Sequence, residues 1–208
     1  MQGHTAIRRI VQFTARSASM LVLIATFTPV LLAQWTEQGP GPIKNGQDEG
    51  ITNNPVSGAV NAIAPVDANT VYVATVNGGI WKTTDATSAS PTWTQLTDTA
   101  LSALSIKSLA VSPLDSNLIF AGTGSSSSLS SSGSPGIGVA RSTDGGTKWT
   151  VEAATPFAGT RIESIVPSST TGSSVVLAGV HFQNYKGPNP STFGLYRSTD
   201  NAKAFTQR

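Results

Sequence analysis

Three aspartates have the residue type and spacing to do chemistry. Asp85, Asp144 and Asp200 end the phrases Gly79-Ile-Trp-Lys-Thr-Thr-Asp85, Gly138-Val-Ala-Arg-Ser-Thr-Asp144 and Gly194-Leu-Tyr-Arg-Ser-Thr-Asp200, 59 and then 56 residues apart. Recurring carboxylates could act as general acids or bases. A carboxylate at the entrance to a tight turn also has a local use, because it can accept backbone N–H bonds across that turn. Three copies in one phrase favour the local use, and no catalytic residue is expected.

A second group is His181, Phe182, Tyr185 and Lys186, within the stretch His181–Pro190. Two aromatic rings could stack on a sugar or peptide, with Gln183, Asn184 and Lys186 as polar partners, or they could pack the loop onto its own scaffold. Long loops on one rim of a rigid scaffold are where binding commonly sits. His181 has no second histidine or carboxylate at ligand spacing, so no metal site is expected. The serine-rich stretch Gly124–Pro135 reads as a loop. The chain has no cysteine, hence no disulfide or thiolate chemistry. It contains no Gly-x-Ser-x-Gly elbow, and no cofactor is expected.

The elements that must position these residues follow from the repeat. Each unit reads as four short strands. The first unit gives Ala59–Ala64, Val71–Ala74, Ile80–Thr83 and Thr92–Gln95. The second gives Ile106–Val111, Leu118–Gly122, Ile137–Ser142 and Lys148–Glu152. The third gives Ile162–Val166, Ser174–Val180, Phe193–Ser198 and Ala204–Gln207. Asn, Asp, Gly and Pro between strands of this length fit antiparallel meanders. Pro113-Leu-Asp115-Ser-Asn117 is expected to form the first turn of the second unit. A repeat of this length means stacked units, and four antiparallel strands per unit make the blade of an all-β propeller.

The stretch Ser142-Thr-Asp144-Gly-Gly146-Thr-Lys-Trp149 resembles the Asp-box, or BNR repeat: Ser or Thr, any residue, Asp, any residue, Gly, two residues, then Trp. The first copy has a longer loop between Asp85 and Trp93, and the third ends in Phe205. The resemblance covers about residues 57–208. It implies structural roles for Asp85, Trp93, Asp144, Gly146, Trp149, Asp200 and Phe205. It places the chain with secreted propellers such as sialidases, xyloglucanase-type glycoside hydrolases, sortilin-type receptor domains and photosystem assembly factors. Sialidases carry an arginine in a Phe/Tyr-Arg-Ile-Pro motif. Arg161-Ile-Glu163 lacks the aromatic and the proline, so sialidase activity is not expected. The xyloglucanase-type segment Arg-Thr-Asp-x-Gly-Gly corresponds to Ala74-Thr-Val76-Asn77-Gly-Gly79, where Val76 replaces the catalytic carboxylate. Glycoside hydrolysis normally needs two carboxylates.

Residues 1–33 read as a secretory signal peptide. Arg8, Arg9 and Arg16 precede an apolar run from Met20 to Leu32, and Ala33 supplies a small residue at the cleavage end. The formal charge of +2 includes those three arginines, so the mature chain carries −1. No clustered Lys and Arg remain to bind nucleic acid, and no membrane association is expected after cleavage. Residues 34–56 read as an N-terminal outer strand and linker, because Gln34-Trp35-Thr36-Glu37 resembles Trp93-Thr-Gln-Leu96 and Trp149-Thr-Val-Glu152. Such a strand closes the last blade of many propellers. The blades span 57–96, 102–153 and 160–208, and further blades downstream in the same chain are expected because propellers typically have four to eight. A self-associating three-blade unit is the rival. The sequence therefore predicts an exported β-propeller that binds or scaffolds a glycan or protein ligand. The alternative is a xyloglucanase-like hydrolase whose acids lie partly beyond Arg208.

Overall fold

The computed structural model describes residues 58–125, 136–182 and 193–208, all within the unit Glu37–Arg208. The segments 1–33 and 34–56 lie outside the described residues, as do Tyr185 and Lys186.

Among the described residues, twelve strands form three antiparallel four-stranded sheets. Sheet 1 contains β1 (Val60–Pro65), β2 (Val71–Thr75), β3 (Ile80–Thr83) and β4 (Thr94–Gln95). Sheet 2 contains β5 (Ile106–Ser112), β6 (Asp115–Thr123), β7 (Val139–Ser142) and β8 (Thr150–Glu152). Sheet 3 contains β9 (Thr160–Pro167), β10 (Val176–Phe182), β11 (Gly194–Ser198) and β12 (Thr206–Gln207). Each sheet is a simple meander, and the first strands β1, β5 and β9 lie side by side. These are propeller blades with their first strands innermost.

Alternation along the strands gives each sheet two apolar faces, and among the described residues sheet 2 has a neighbouring blade on both. In sheet 2, Ile106, Leu109, Ile119, Ala121 and Ala140 pack against Ala64, Tyr72, Ala74 and Ile80 of sheet 1. The opposite face presents Phe120 and Val139 to Ile162, Ile165, Val176, Ala178 and Tyr196 of sheet 3. Tyr72 also donates its hydroxyl proton to the Gly145 carbonyl across the first junction, at 2.9 Å.

Two local features depart from the expected strands. The turn expected over Pro113–Asn117 shortens to Pro113–Leu114, and β6 begins at Asp115, which pairs with Ser112 through a register shift. The link between sheets 2 and 3 contains a one-turn helix, α1 (Ala154–Phe157). It buries Phe157, whose ring meets Tyr196 edge to face at 4.9 Å and tilts against Phe205 at 5.3 Å.

Candidate functional site

The two rims of the blades carry different chemistry. One rim holds the first-to-second and third-to-fourth strand turns, including the three aspartates. In each aspartate turn the hydroxyl two residues earlier donates to Oδ1: Thr83 to Asp85 at 2.6 Å, Ser142 to Asp144 at 2.9 Å and Ser198 to Asp200 at 2.6 Å. The same Oδ1 accepts a backbone N–H from the far side of the turn. Thr92 supplies it for Asp85, Lys148 for Asp144, and Lys203 and Ala204 for Asp200, at 2.8–3.1 Å. These bonds hold all three carboxyls below their ordinary value of 3.8. The leading causes are the Thr83 hydroxyl at Asp85, the Lys148 amide at Asp144 and the Ser198 hydroxyl at Asp200. Stabilisation of the charged form by hydrogen bonds lowers a pKa in this way. The carboxylates are therefore occupied by their own turns.

The aromatic residue after each turn anchors it. Trp149 is 9% exposed and donates Nε1–H to the Gly146 carbonyl at 2.9 Å. Phe205 packs against the core between sheets 2 and 3, and Trp93 is half-buried. Gly146 needs its missing side chain: its φ is +91°, and a Cβ there would stand 2.7 Å from Leu96 Cδ1. A cleft of about 390 Å3 lies on this rim between the turns at Pro65–Val66 and Val111–Ser116. Its lining contains one carboxylate, Asp115, and no second ionisable side chain to work with it.

The opposite rim holds the second-to-third strand turns and the links between blades. Here each innermost strand has a β-bulge at the same repeat position. Pairing shifts between Val60 and Ala62 in β1, between Ile106 and Ser108 in β5, and between Val180 and Gly179 of β10 opposite β9. The extra residues are Asn61, Lys107 and Glu163. A bulge leaves one residue outside the ladder and re-aims its side chain. Each of the first two reaches the next blade. Asn61 donates to the Ile106 carbonyl at 2.7 Å and to Ser125 Oγ at 3.0 Å, and Lys107 Nζ lies 3.8 Å from Glu163 Oε2. Glu163 also pairs with Arg161 Nε, two residues back on the same strand.

Arg161 connects this pair to His181. Its Nη2 lies 3.3 Å from His181 Nδ1. A guanidinium only donates, so a hydrogen bond here makes Nδ1 the acceptor and leaves the ring proton on Nε2. The His181 ring stacks on Phe193, with centroids 5.8 Å apart and planes 12° apart. His181 was expected as an isolated histidine in a loop, yet it lies within β10, paired with Arg161, and belongs to a chain of contacts from Lys107 through Glu163 and Arg161 to Phe193. Phe182 pairs with Thr160 in the β9–β10 ladder. Val76, at the position where a carboxylate was sought, donates its amide to the Ala59 carbonyl, and the neighbouring Asn77 accepts the Ser105 hydroxyl at 2.6 Å. Among the described residues, no group of three His, Cys, Asp or Glu side chains could hold a metal ion.

Sequence reasoning missed the bulge residues. The signal was present in Val60-Asn-Ala-Ile63, Ile106-Lys-Ser-Leu109 and Ile162-Glu-Ser-Ile165: two apolar residues separated by two polar or small ones, which breaks strand alternation at one place in every repeat.

No family model matches the chain, and no curated protein matches it. Among solved structures, the chain is similar to a GH74 enzyme from Niastella koreensis, with 26% identity and a TM-score of 0.46 over 72% of this chain and 22% of that one. It is also similar to the GH74 xyloglucanase from Xanthomonas campestris, with 19% identity and a TM-score of 0.47 over 72% and 23%. A third similar structure is YCF48 bound to D1 peptide, with 16% identity and a TM-score of 0.47 over 72% and 40%. The chain thus spans between about a fifth and two fifths of the length of these proteins. Among the described residues no helix is long and apolar enough to cross a membrane.

Proposed function

We propose that this protein is an exported Asp-box β-propeller that binds a glycan or a protein ligand on the rim carrying the bulge residues, and that it acts by binding or scaffolding rather than by catalysis. The observation that carries the reading is the contact chain Lys107–Glu163–Arg161–His181–Phe193. It offers donors, a carboxylate acceptor and a ring face at one edge of sheet 3, the combination that polar ligands with an apolar side require. The carboxylates of the opposite rim are taken up by their own turns, so they supply neither half of an acid–base pair. Export rests on residues 1–33 acting as a cleaved signal peptide.

The test is binding of the purified protein to glycan and peptide arrays, followed by titration of any hit with Arg161→Ala and Phe193→Ala. We expect saturable binding, at least tenfold weaker in both variants, with no release of reducing sugar from β-glucans. Sugar release would establish the hydrolase reading instead. Equal binding by both variants would remove this rim as the site.

A further inference from the structure

Asn77 and Gly78 lie in the turn between β2 and β3, on the bulge rim. Asn77 is exposed, and its two side-chain polar atoms are held unevenly. Oδ1 accepts a hydrogen bond from the Ser105 hydroxyl at 2.6 Å, whereas Nδ2 makes no bond among the described residues. Asn61, on the same rim, is the opposite case: its Nδ2 donates to the Ile106 carbonyl and to Ser125 Oγ. Ser105 is 1% exposed, so the hydroxyl that meets Asn77 comes from a fixed, buried position.

The peptide after Asn77 is also held. Gly78 N–H donates to Thr75 Oγ1 at 2.8 Å, and the Gly78 carbonyl accepts Trp81 Nε1–H at 2.8 Å. An amide N–H points along the plane of its peptide. The bond to Thr75 therefore occupies the edge of the Gly78 nitrogen and leaves its face, through which a bond to carbon forms. Glycine has no side chain to crowd that nitrogen. The other described asparagines, Asn61, Asn69, Asn117 and Asn201, are followed by Ala62, Thr70, Leu118 and Ala202. Among the described residues, Asn77 alone precedes a glycine.

From this arrangement we propose that Asn77 is a self-modification site of the folded protein, at which the Gly78 nitrogen attacks Asn77 Cγ while Ser105 holds Oδ1. The new nitrogen–carbon bond closes a succinimide ring. The Gly78 proton leaves by way of Thr75 Oγ1 to solvent base, and Nδ2 takes up a proton and departs as ammonia. Negative charge develops on Oδ1 in the tetrahedral intermediate, and a fixed donor aimed at that oxygen lowers the barrier. Water then opens the ring. Breaking the bond from nitrogen to Cγ leaves aspartate. Breaking the bond from nitrogen to the main-chain carbonyl carbon leaves isoaspartate. Water is the one reactant added, and Asn77 is exposed to it.

Either product alters the bulge rim. Both place a carboxylate on a turn, Val76 to Gly79, that has no charged residue. Isoaspartate also inserts one carbon into the main chain ahead of Gly78. That turn is tied to the link between sheets 1 and 2 by the Gly79 amide on the Leu104 carbonyl at 2.9 Å and by Ser105 on Asn77. A displaced turn thus pulls on the first blade junction. The change is slow, one-way and internal to the chain. It stands whether or not the rim binds a ligand.

The test incubates the purified full chain in mildly alkaline buffer, beside the same chain unfolded in urea at the same pH. Chymotrypsin cutting after Tyr72 and Trp81 releases Val73–Trp81, which contains one asparagine. Mass spectrometry reads the exchange of amide for acid in that peptide, and chromatography separates its aspartate and isoaspartate forms. We expect Asn77 of the folded chain to convert at no less than a tenth of the rate in the unfolded chain. Ser105→Ala, checked for folding by circular dichroism, should slow the folded rate about tenfold, the low end of what one oxyanion donor contributes at the more enclosed sites of enzymes. Its rate in urea should match the parent's. An Asn77 that stays intact in the folded chain while the unfolded chain converts would overturn the proposal, because the turn would then be a protecting one. A folded Ser105→Ala chain that converts as fast as the parent would overturn it too, because the hydroxyl would have no part in the reaction.

Discussion

The two rims of this propeller use the three-fold repeat in opposite ways. At the aspartate rim, one constellation recurs three times: hydroxyl, carboxylate, returning amide and aromatic anchor. At the bulge rim the backbone deviation recurs, but the side chains it re-aims are Asn61, Lys107 and Glu163. Where chemistry repeats with the backbone, a structural requirement of every blade explains it. Where the backbone repeats and the chemistry differs, the scaffold is being used to present different groups. The aspartates, which first attract attention as possible catalysts, belong to the first kind.

The comparison is broken most severely by removing an anchor from the aspartate rim. Trp149→Ala deletes a side chain that fills the first blade junction and holds its turn through the Gly146 carbonyl. The expected loss of stability is about 3–5 kcal/mol, measured by urea unfolding. A loss under about 1 kcal/mol, within what a single surface contact supplies, would mean that the indole does not hold the turn.

A smaller effect separates the three turns by pH. Folding depresses the carboxyls of Asp85, Asp144 and Asp200 below 3.8. Above that value all three are charged in both states and their contribution is complete. As pH falls below 3.8 the unfolded chain takes up protons first, so stability declines until the folded carboxyls also protonate. Stability should therefore be flat in this respect near neutrality and fall through the acid range. Ser198→Ala should flatten that fall more than Ser142→Ala, because the hydroxyl is the leading cause at Asp200 whereas the Lys148 amide leads at Asp144. Equal acid slopes in the two variants would show that the turns are not differently wired.

How far the sequence could be read follows the same division. The strands and their order were legible because alternation and turn residues are local signals; β3 falls at the expected Ile80–Thr83. The phrase ending in each aspartate marks its turn by residues two to five positions apart. Contacts between strands far apart in the sequence leave no such trace. Lys107 meets Glu163, and Arg161 meets His181, because two strands lie side by side or pair in register. Helix α1 was missed because Ala154–Phe157 is a single turn, too short to show a period. Of the expected rim residues, His181 takes part in the contact chain, whereas Tyr185 and Lys186 lie outside the described residues.

The finest distinction concerns the bulge residues themselves. If their identities serve a ligand, exchanging them should hardly disturb the fold, because partly exposed ion pairs contribute roughly 0–1 kcal/mol. Lys107 and Glu163 have side chains 32% and 35% exposed. Lys107→Asn restores the residue type that sheet 1 places at this bulge, so the backbone deviation should tolerate it. Glu163→Gln keeps the shape and removes the charge that faces both Lys107 and Arg161. Each variant should unfold within about 1 kcal/mol of the parent, while binding of any ligand found on the arrays weakens more than its unfolding free energy changes. The reverse outcome, a large loss of stability with binding retained, would make the bulge rim a second structural repeat and erase its contrast with the aspartate turns. The ratio of the two effects decides between those accounts, because a side chain that only braces the inner strands must act on folding first.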